Sequence, residues 1–169
     1  MHLAEKTRLT YEDYAQLPEG APYQLIDGEL VMSPAPTPYH QRVVMRLSFA
    51  LMAFVRERDL GEVLFAPVDV YLGEHHTFQP DVLFLSQERL GRIGEKKIEG
   101  APDLVVEILS PSTAYYDLKT KKRVYEEADV REYWIVDPIE KNVEVYENTD
   151  GAFVLMARAE SAATVASKV

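Results

Sequence analysis

Hydrophobic and polar residues alternate along most of this chain in blocks short enough for strands, and two longer stretches carry helical spacing instead. The longer stretch opens at Thr37-Pro38, a capping residue followed by a first-turn proline, and runs to about Arg58. Within it His40, Val43, Val44, Leu47, Leu51, Phe54 and Val55 fall on one stripe, with Arg42, Arg46 and Arg56 off it. The second stretch covers about Tyr115 to Ala128. At about 100° per residue, Ala114, Asp117, Leu118, Lys121, Val124, Tyr125 and Ala128 share a face that leaves Lys119, Lys122, Arg123, Glu126 and Glu127 outside. A short helix is predicted to start at Thr10, where Asp13 completes a capping box, and to end at Pro18 to Pro22. Tyr23–Ile26 and Glu29–Met32 flank Asp27-Gly28 and read as a hairpin. Further strands are expected at Val63–Ala66, Val68–Leu72, Asp81–Leu85, Asp103–Leu109, Glu132–Asp137, Val143–Glu147 and Phe153–Ala157, the last two joined through Asp150-Gly151.

This mixture predicts an α/β (α+β) fold as a single domain over residues 1–169, with residues from about 158 onward as a loose tail. Val82-Leu83-Phe84-Leu85 is apolar on both faces, so the centre of the sheet is expected to be covered on both sides. No apolar run approaches the roughly 18 residues of a membrane span, and Met1 to Tyr14 lacks the apolar core of an export signal, which points to a cytoplasmic protein. Cysteine is absent, which removes disulfides, thiol nucleophiles and thiolate metal sites together. With 28 acidic against 18 basic residues the net charge is -10, the wrong sign for a protein that grips nucleic acid through its whole surface.

Some carboxylates stand where a core is expected. In the strand Asp103–Leu109, Leu104, Val106 and Ile108 point one way and Asp103, Val105, Glu107 and Leu109 the other, so Glu107 lies between apolar neighbours. Asp81 opens an equally apolar strand directly after Pro80. Two such carboxylates suit a hard divalent cation, magnesium or manganese. The plainer reading has Asp81 capping a turn and Glu107 paired with a buried Arg or Lys. Lys121 shares the inward stripe of the second helix with Asp117 and Tyr125, one turn to either side. It could complete a hydrolytic constellation with the two carboxylates or form an edge ion pair with Asp117. His40 reads as a core histidine or one bonded to a site carboxylate in preference to a metal ligand. The tyrosines at 115, 116, 125 and 133 read mostly as core, and His75-His76 as an exposed loop.

In order along the chain, the residues Thr10-Tyr11-Glu12-Asp13-Tyr14, Tyr23 to Leu30, Pro38 to His40, Ala66-Pro67-Val68-Asp69-Val70, Gln79-Pro80-Asp81, Gly100 to Glu107, Ser110-Pro111-Ser112-Thr113 and Arg131 to Asp137 resemble the Uma-type restriction endonucleases, a family of the PD-(D/E)XK, restriction-endonuclease-like nuclease superfamily. The resemblance implies a mixed four- or five-stranded sheet flanked by helices and Mg²⁺-dependent cleavage of phosphodiesters. Asp81 matches the motif aspartate and Glu107 the acidic residue of the second half-motif. The half-motif's lysine position holds Leu109, and Lys121 matches a lysine displaced to the following helix. Glu29 matches an acidic position often counted with the site, His40 a usual histidine, and Gln24 a position commonly glutamate.

The expectation is therefore a DNA endonuclease holding Mg²⁺, or Mn²⁺, on Asp81 and Glu107 with help from a backbone carbonyl such as that of Ile108. Lys121 and Glu29 take part in the chemistry, with His40, Asp117 and Tyr125 in support. A homodimer is expected, because cutting both strands takes two sites. Binding should be weak, salt-sensitive and metal-dependent, on a basic footing formed by Lys119–Arg123, Arg89, Arg92, Lys96 and Lys97. The competing readings are a nuclease-fold binding or regulatory module without significant cleavage, and a hydrolase of the same fold acting on RNA or a small phosphoester.

Overall fold

The computed structural model describes residues 8–160 and 164–169. Its first helix, α1 (Tyr11–Tyr14), carries the predicted capping box, with Asp13 Oδ2 accepting from the Thr10 backbone N–H at 2.9 Å. The hairpin forms as strands β1 (Tyr23–Ile26) and β2 (Glu29–Met32) around Asp27 and Gly28 at φ 52° and 78°, the left-handed pair that such a tight turn demands. The long helix is α2 (Pro38–Glu57), and the Thr37 hydroxyl accepts from the His40 N–H at 3.2 Å to cap it. Next come β3 (Gly61–Phe65), β4 (Val70–Tyr71), β5 (Thr77–Phe78), β6 (Val82–Ser86), a 3₁₀ segment Gln87–Arg92, β7 (Ile98–Glu99) and β8 (Leu104–Ile108). The second helical stretch is composite: α3 (Ala114–Tyr116), a π-helical segment Asp117–Lys121, and α4 (Lys122–Glu127). The chain continues through β9 (Glu132–Asp137), β10 (Asn142–Thr149) and β11 (Ala152–Glu160).

These strands make two mixed sheets. The larger has six strands in the order β11-β10-β9-β8-β6-β3, and only β8 and β9 are parallel. The smaller has five, β2-β1-β5-β4-β7. The composite helix is the crossover that joins parallel β8 and β9, and it covers one face of the larger sheet through Val124 and Tyr125 against Val105, Tyr133 and Ile135. Helix α2 covers the opposite face through Val44 and Val55 against Val82, Phe84, Leu104, Val106 and Ile108. The alternation read along β8 is therefore the one that packs, and it turns Glu107 toward the crossover helix.

Three sequence expectations differ in detail. Phe54 lies outside the α2 stripe, 49 % exposed, with the Arg58 guanidinium 4.0 Å over its ring. Leu118 is exposed as well, because a π turn holds more residues than an α turn and rotates it off the inward face that Asp117 and Lys121 keep. Strand β11 runs through Glu160, past the expected start of a tail, and Val165 and Val169 pack on the α2-side core. Glu132, buried in β9, accepts from the Lys168 backbone N–H at 2.9 Å and ties that segment down. The part of the expected tail at residues 161–163 lies outside the described residues.

Candidate active site

Antiparallel β6 and β8 pair Val82 with Val106, and one further step of that register sets Asp81 opposite Glu107. Opposed residues share a face, with Cβ atoms about 5 Å apart. Glu107, 2 % exposed, meets Lys121 Nζ at 3.0 Å and the donated Tyr125 hydroxyl at 2.6 Å, both on Oε1. Lys121 Nζ also lies 3.1 Å from Asp117 Oδ1. The Tyr133 hydroxyl donates to the Asp117 backbone carbonyl at 2.8 Å, anchoring the π segment that presents both Asp117 and Lys121 inward. At the strand end, Asp81 Oδ2 accepts from the Ile108 N–H at 2.7 Å, and His40 Nε2 stands 3.4 Å from Asp81 Oδ1 and 3.2 Å from the Ile108 carbonyl oxygen. The plain alternative for Glu107, a buried cation partner, and the edge pair Lys121–Asp117 are thus both present, fused into one cluster.

Burial and close neighbours shift the titratable groups of this cluster. Burial pushes the Glu107 carboxyl up to about 8, with the Asp117 and Asp81 charges adding and Lys121 opposing. Asp117 is raised for the same leading reason. Burial pulls Lys121 down, but the Glu107 and Asp117 charges outweigh it and hold the ammonium above its ordinary range. The hydrogen bond with Asp81 raises His40 against an opposing effect of burial. Three carboxyl groups share one ammonium here, and a bound cation would favour their charged forms over the protonated ones that burial favours.

Asp81, Glu107, Lys121 and His40 open together on a cleft of about 770 Å³ whose walls include Pro22, Pro34, Pro36, Pro67, Pro111 and Pro138. Among the described residues no three His, Asp or Glu side chains converge as a ready-made metal cluster. What meets at the cleft floor is an oxygen set: the Asp81 and Glu107 carboxylates and the Ile108 carbonyl. That set suits Mg²⁺, which commonly takes one or two carboxylates and fills its remaining positions with water and substrate phosphate.

A model of the Uma2 family, described as "Putative restriction endonuclease", matches residues 11–167. The chain belongs to the Uma2 family. An uncharacterised protein of Synechocystis sp., sll1609, is 26 % identical over 151 residues, covering 87 % of this chain and 85 % of its own. A crystal structure of a nuclease described as putative and as belonging to DUF820, from Anabaena variabilis, superposes with a TM-score of 0.73 at 22 % identity, over 87 % of this chain and 83 % of that one. The mixed α+β fold of this Uma2 protein, with helices on both faces of the larger sheet, agrees with that nuclease-fold structure.

Against that fold, the expected site residues divide. Asp81, Glu107, Lys121, Asp117, Tyr125 and His40 come together. Glu29 does not: it is exposed on β2, paired in register with Ile26 and away from the cleft. The cleft residue from the hairpin is Gln24, buried, with Oε1 accepting from the Gln79 N–H at 2.7 Å and Nε2 donating to Ser33 Oγ at 2.8 Å. Its signal in the sequence was a polar residue in the otherwise apolar run Gln24-Leu25-Ile26. His75 and His76 are not surface residues but half-buried staples: His75 Nδ1 lies 2.7 Å from the Leu9 carbonyl, and His76 Nδ1 accepts from the Asp27 N–H at 3.3 Å. The expected basic footing is largely spent elsewhere. Arg89 is buried against Asp103 and Asp129, Arg92 bonds the Ala101 carbonyl, Lys97 pairs with Glu99, and Arg123 pairs with Asp27 and Glu127. Among the described residues no helix is long and apolar enough to cross a membrane.

Proposed function

We propose that this protein is a divalent-metal-dependent endonuclease, most directly of DNA, and that the cleft floor is its active site. The supporting observation is the buried cluster in which Asp81, Glu107 and Asp117 outnumber the Lys121 ammonium beside a row of oxygen donors. Asp81, Glu107 and the Ile108 carbonyl would hold Mg²⁺ or Mn²⁺. When bound, such an ion supplies positive charge against a phosphoryl group and lowers the pKa of water. Lys121, fixed by two carboxylates and lining the cleft, would counter the negative charge that builds on phosphorus as water attacks and the P–O ester bond breaks. Tyr125 orients Glu107 by hydrogen bonding. His40, whose imidazole the hydrogen bond with Asp81 biases toward its charged form, stands at the mouth. Each copy carries one such site, so cutting both strands of a duplex takes a pair of copies, and a homodimer is the expected form.

The test is cleavage of plasmid DNA in Mg²⁺ or Mn²⁺ by the full chain and by Asp81→Asn, Glu107→Gln and Lys121→Met. Each substitution should lower the rate by about 100-fold or more. Cleavage that survives all three points to a contaminant or a different site. Metal-dependent binding with no cleavage points to the binding-module reading. Activity confined to RNA or to a small phosphodiester in the same panel corrects the substrate.

A further inference from the structure

Helix α2 buries Val44, Ser48 and Val55 and leaves its other side bare, with Tyr39 54 %, Met45 62 % and Phe49 74 % exposed. The same side carries Arg42, Arg46 and Arg56, all exposed, and none of the three makes a side-chain ion pair or hydrogen bond among the described residues. From Pro38 to Arg56 the helix contains no acidic residue, in a chain whose net charge is -10. At 100° per residue, Tyr39, Arg42, Met45, Arg46, Phe49 and Arg56 fall within about 120°, a stripe about 25 Å long. It starts at the cleft, where Tyr39 and His40 are lining residues.

We infer that this stripe is a docking ridge for a single-stranded stretch of nucleic acid entering the cleft, an inference that rests on the nuclease reading above. The free guanidiniums supply a positive track for a phosphate backbone at the cleft, whereas Arg89, Arg92, Lys97 and Arg123 of the expected basic cluster are engaged in internal contacts. The exposed rings set between them offer stacking faces, which unpaired bases can use and a duplex, with its bases already stacked inside, cannot. A second copy is a poor occupant. Antiparallel packing of α2 on its symmetry mate centred at Phe49 would set Arg42 against Arg56 of the mate, like charge on like.

The test is fluorescence anisotropy of a labelled phosphorothioate 20-mer, which resists hydrolysis, as a single strand and as a duplex, with the full chain in Mg²⁺ over a range of salt. The triple variant Arg42→Gln/Arg46→Gln/Arg56→Gln should bind the single strand at least tenfold more weakly and flatten the log–log salt slope by about 2, from roughly 0.7 per lost phosphate contact. Phe49→Ala and Tyr39→Ala should each weaken single-strand binding about tenfold. All these positions are exposed, so thermal midpoints should stay at the wild-type value. Unchanged affinity and slope in the triple variant overturn the ridge, as does wild-type preference for the duplex. So does sedimentation showing that Phe49→Ala only separates copies of the chain while binding persists. A wild-type protein that binds neither form even at low salt overturns the nuclease reading itself, whereas one that cleaves while the triple variant binds normally overturns the ridge alone.

Discussion

Replacing Lys121 with methionine keeps most of the side-chain volume but removes the ammonium that Glu107 and Asp117 share inside the fold. Breaking a buried pair this way costs about 3–5 kcal/mol. The loss should be larger at pH 8 than at pH 5, where Glu107 holds its proton in the fold, and urea denaturation at the two pH values measures it. The wild-type, metal-free protein has its own pH dependence. Burial lifts Glu107 from 4.5 to about 8, so between those values the native state holds a proton that the unfolded chain has released. Stability therefore falls as pH rises through that window. The raised Lys121 value acts only at higher pH and does not offset it. Glu107→Gln should flatten the fall, and thermal midpoints at half-unit pH steps would reveal a slope left unchanged. Asp81, Glu107 and Lys121 were legible because each is a charge set into an apolar period. Glu29 is indicated by the family resemblance alone; it stands two positions before Val31, the partner of the cleft-lining Gln24, and faces solvent. The burial of His75 and His76 depends on the carbonyl of Leu9 and the amide of Asp27, partners far away in sequence.

The elements that organise the site were mostly readable, because α2, the hairpin, β8 and β9 each carry a sustained period with a cap or turn at the end. The short strands β5 and β7 have two residues each, too few for a period, and of the expected strand Val68–Leu72 only Val70–Tyr71 pairs, as β4. The π segment was equally hidden. Its inward Asp117 and Lys121 follow an ordinary helical spacing, and only the exposure of Leu118 betrays the extra residue. One strand rests on a single backbone position. Gly61 opens β3 at φ +148°, and a Cβ there would stand 2.0 Å from the Leu85 carbonyl oxygen of β6. Gly61→Ala should therefore destabilise the protein by about 1–3 kcal/mol through strain and loss of this edge pairing. Hydrogen exchange should show β3 amides opening first. Equal stability and unaltered β3 protection would contradict the packing described.

At the scale of the whole molecule, the negative charge has two separate consequences. Part of the acid is gathered at the cleft floor, where burial first and neighbouring carboxylates second raise Glu107 and Asp117, and a cation would oppose both. The rest is distributed over a surface where Arg58, Arg89, Arg123, Arg131 and Arg158 are held in ion pairs, while the stretch of α2 from Pro38 to Arg56 carries no acid and leads to the cleft as a positive stripe. Composition alone argued against nucleic acid because it averages over these two regions. The fold separates them, and a net charge cannot reveal where its opposite sign is gathered. The central claim is that Asp81 and Glu107 together hold a divalent ion, and it is tested most directly by crystals of the full chain soaked in Mn²⁺ and measured at the manganese absorption edge. An anomalous peak about 2.2 Å from both carboxylates, absent in Asp81→Asn, is the predicted result. A cleft that stays free of manganese at saturating concentration, or a peak that ignores the Asp81→Asn change, would contradict it.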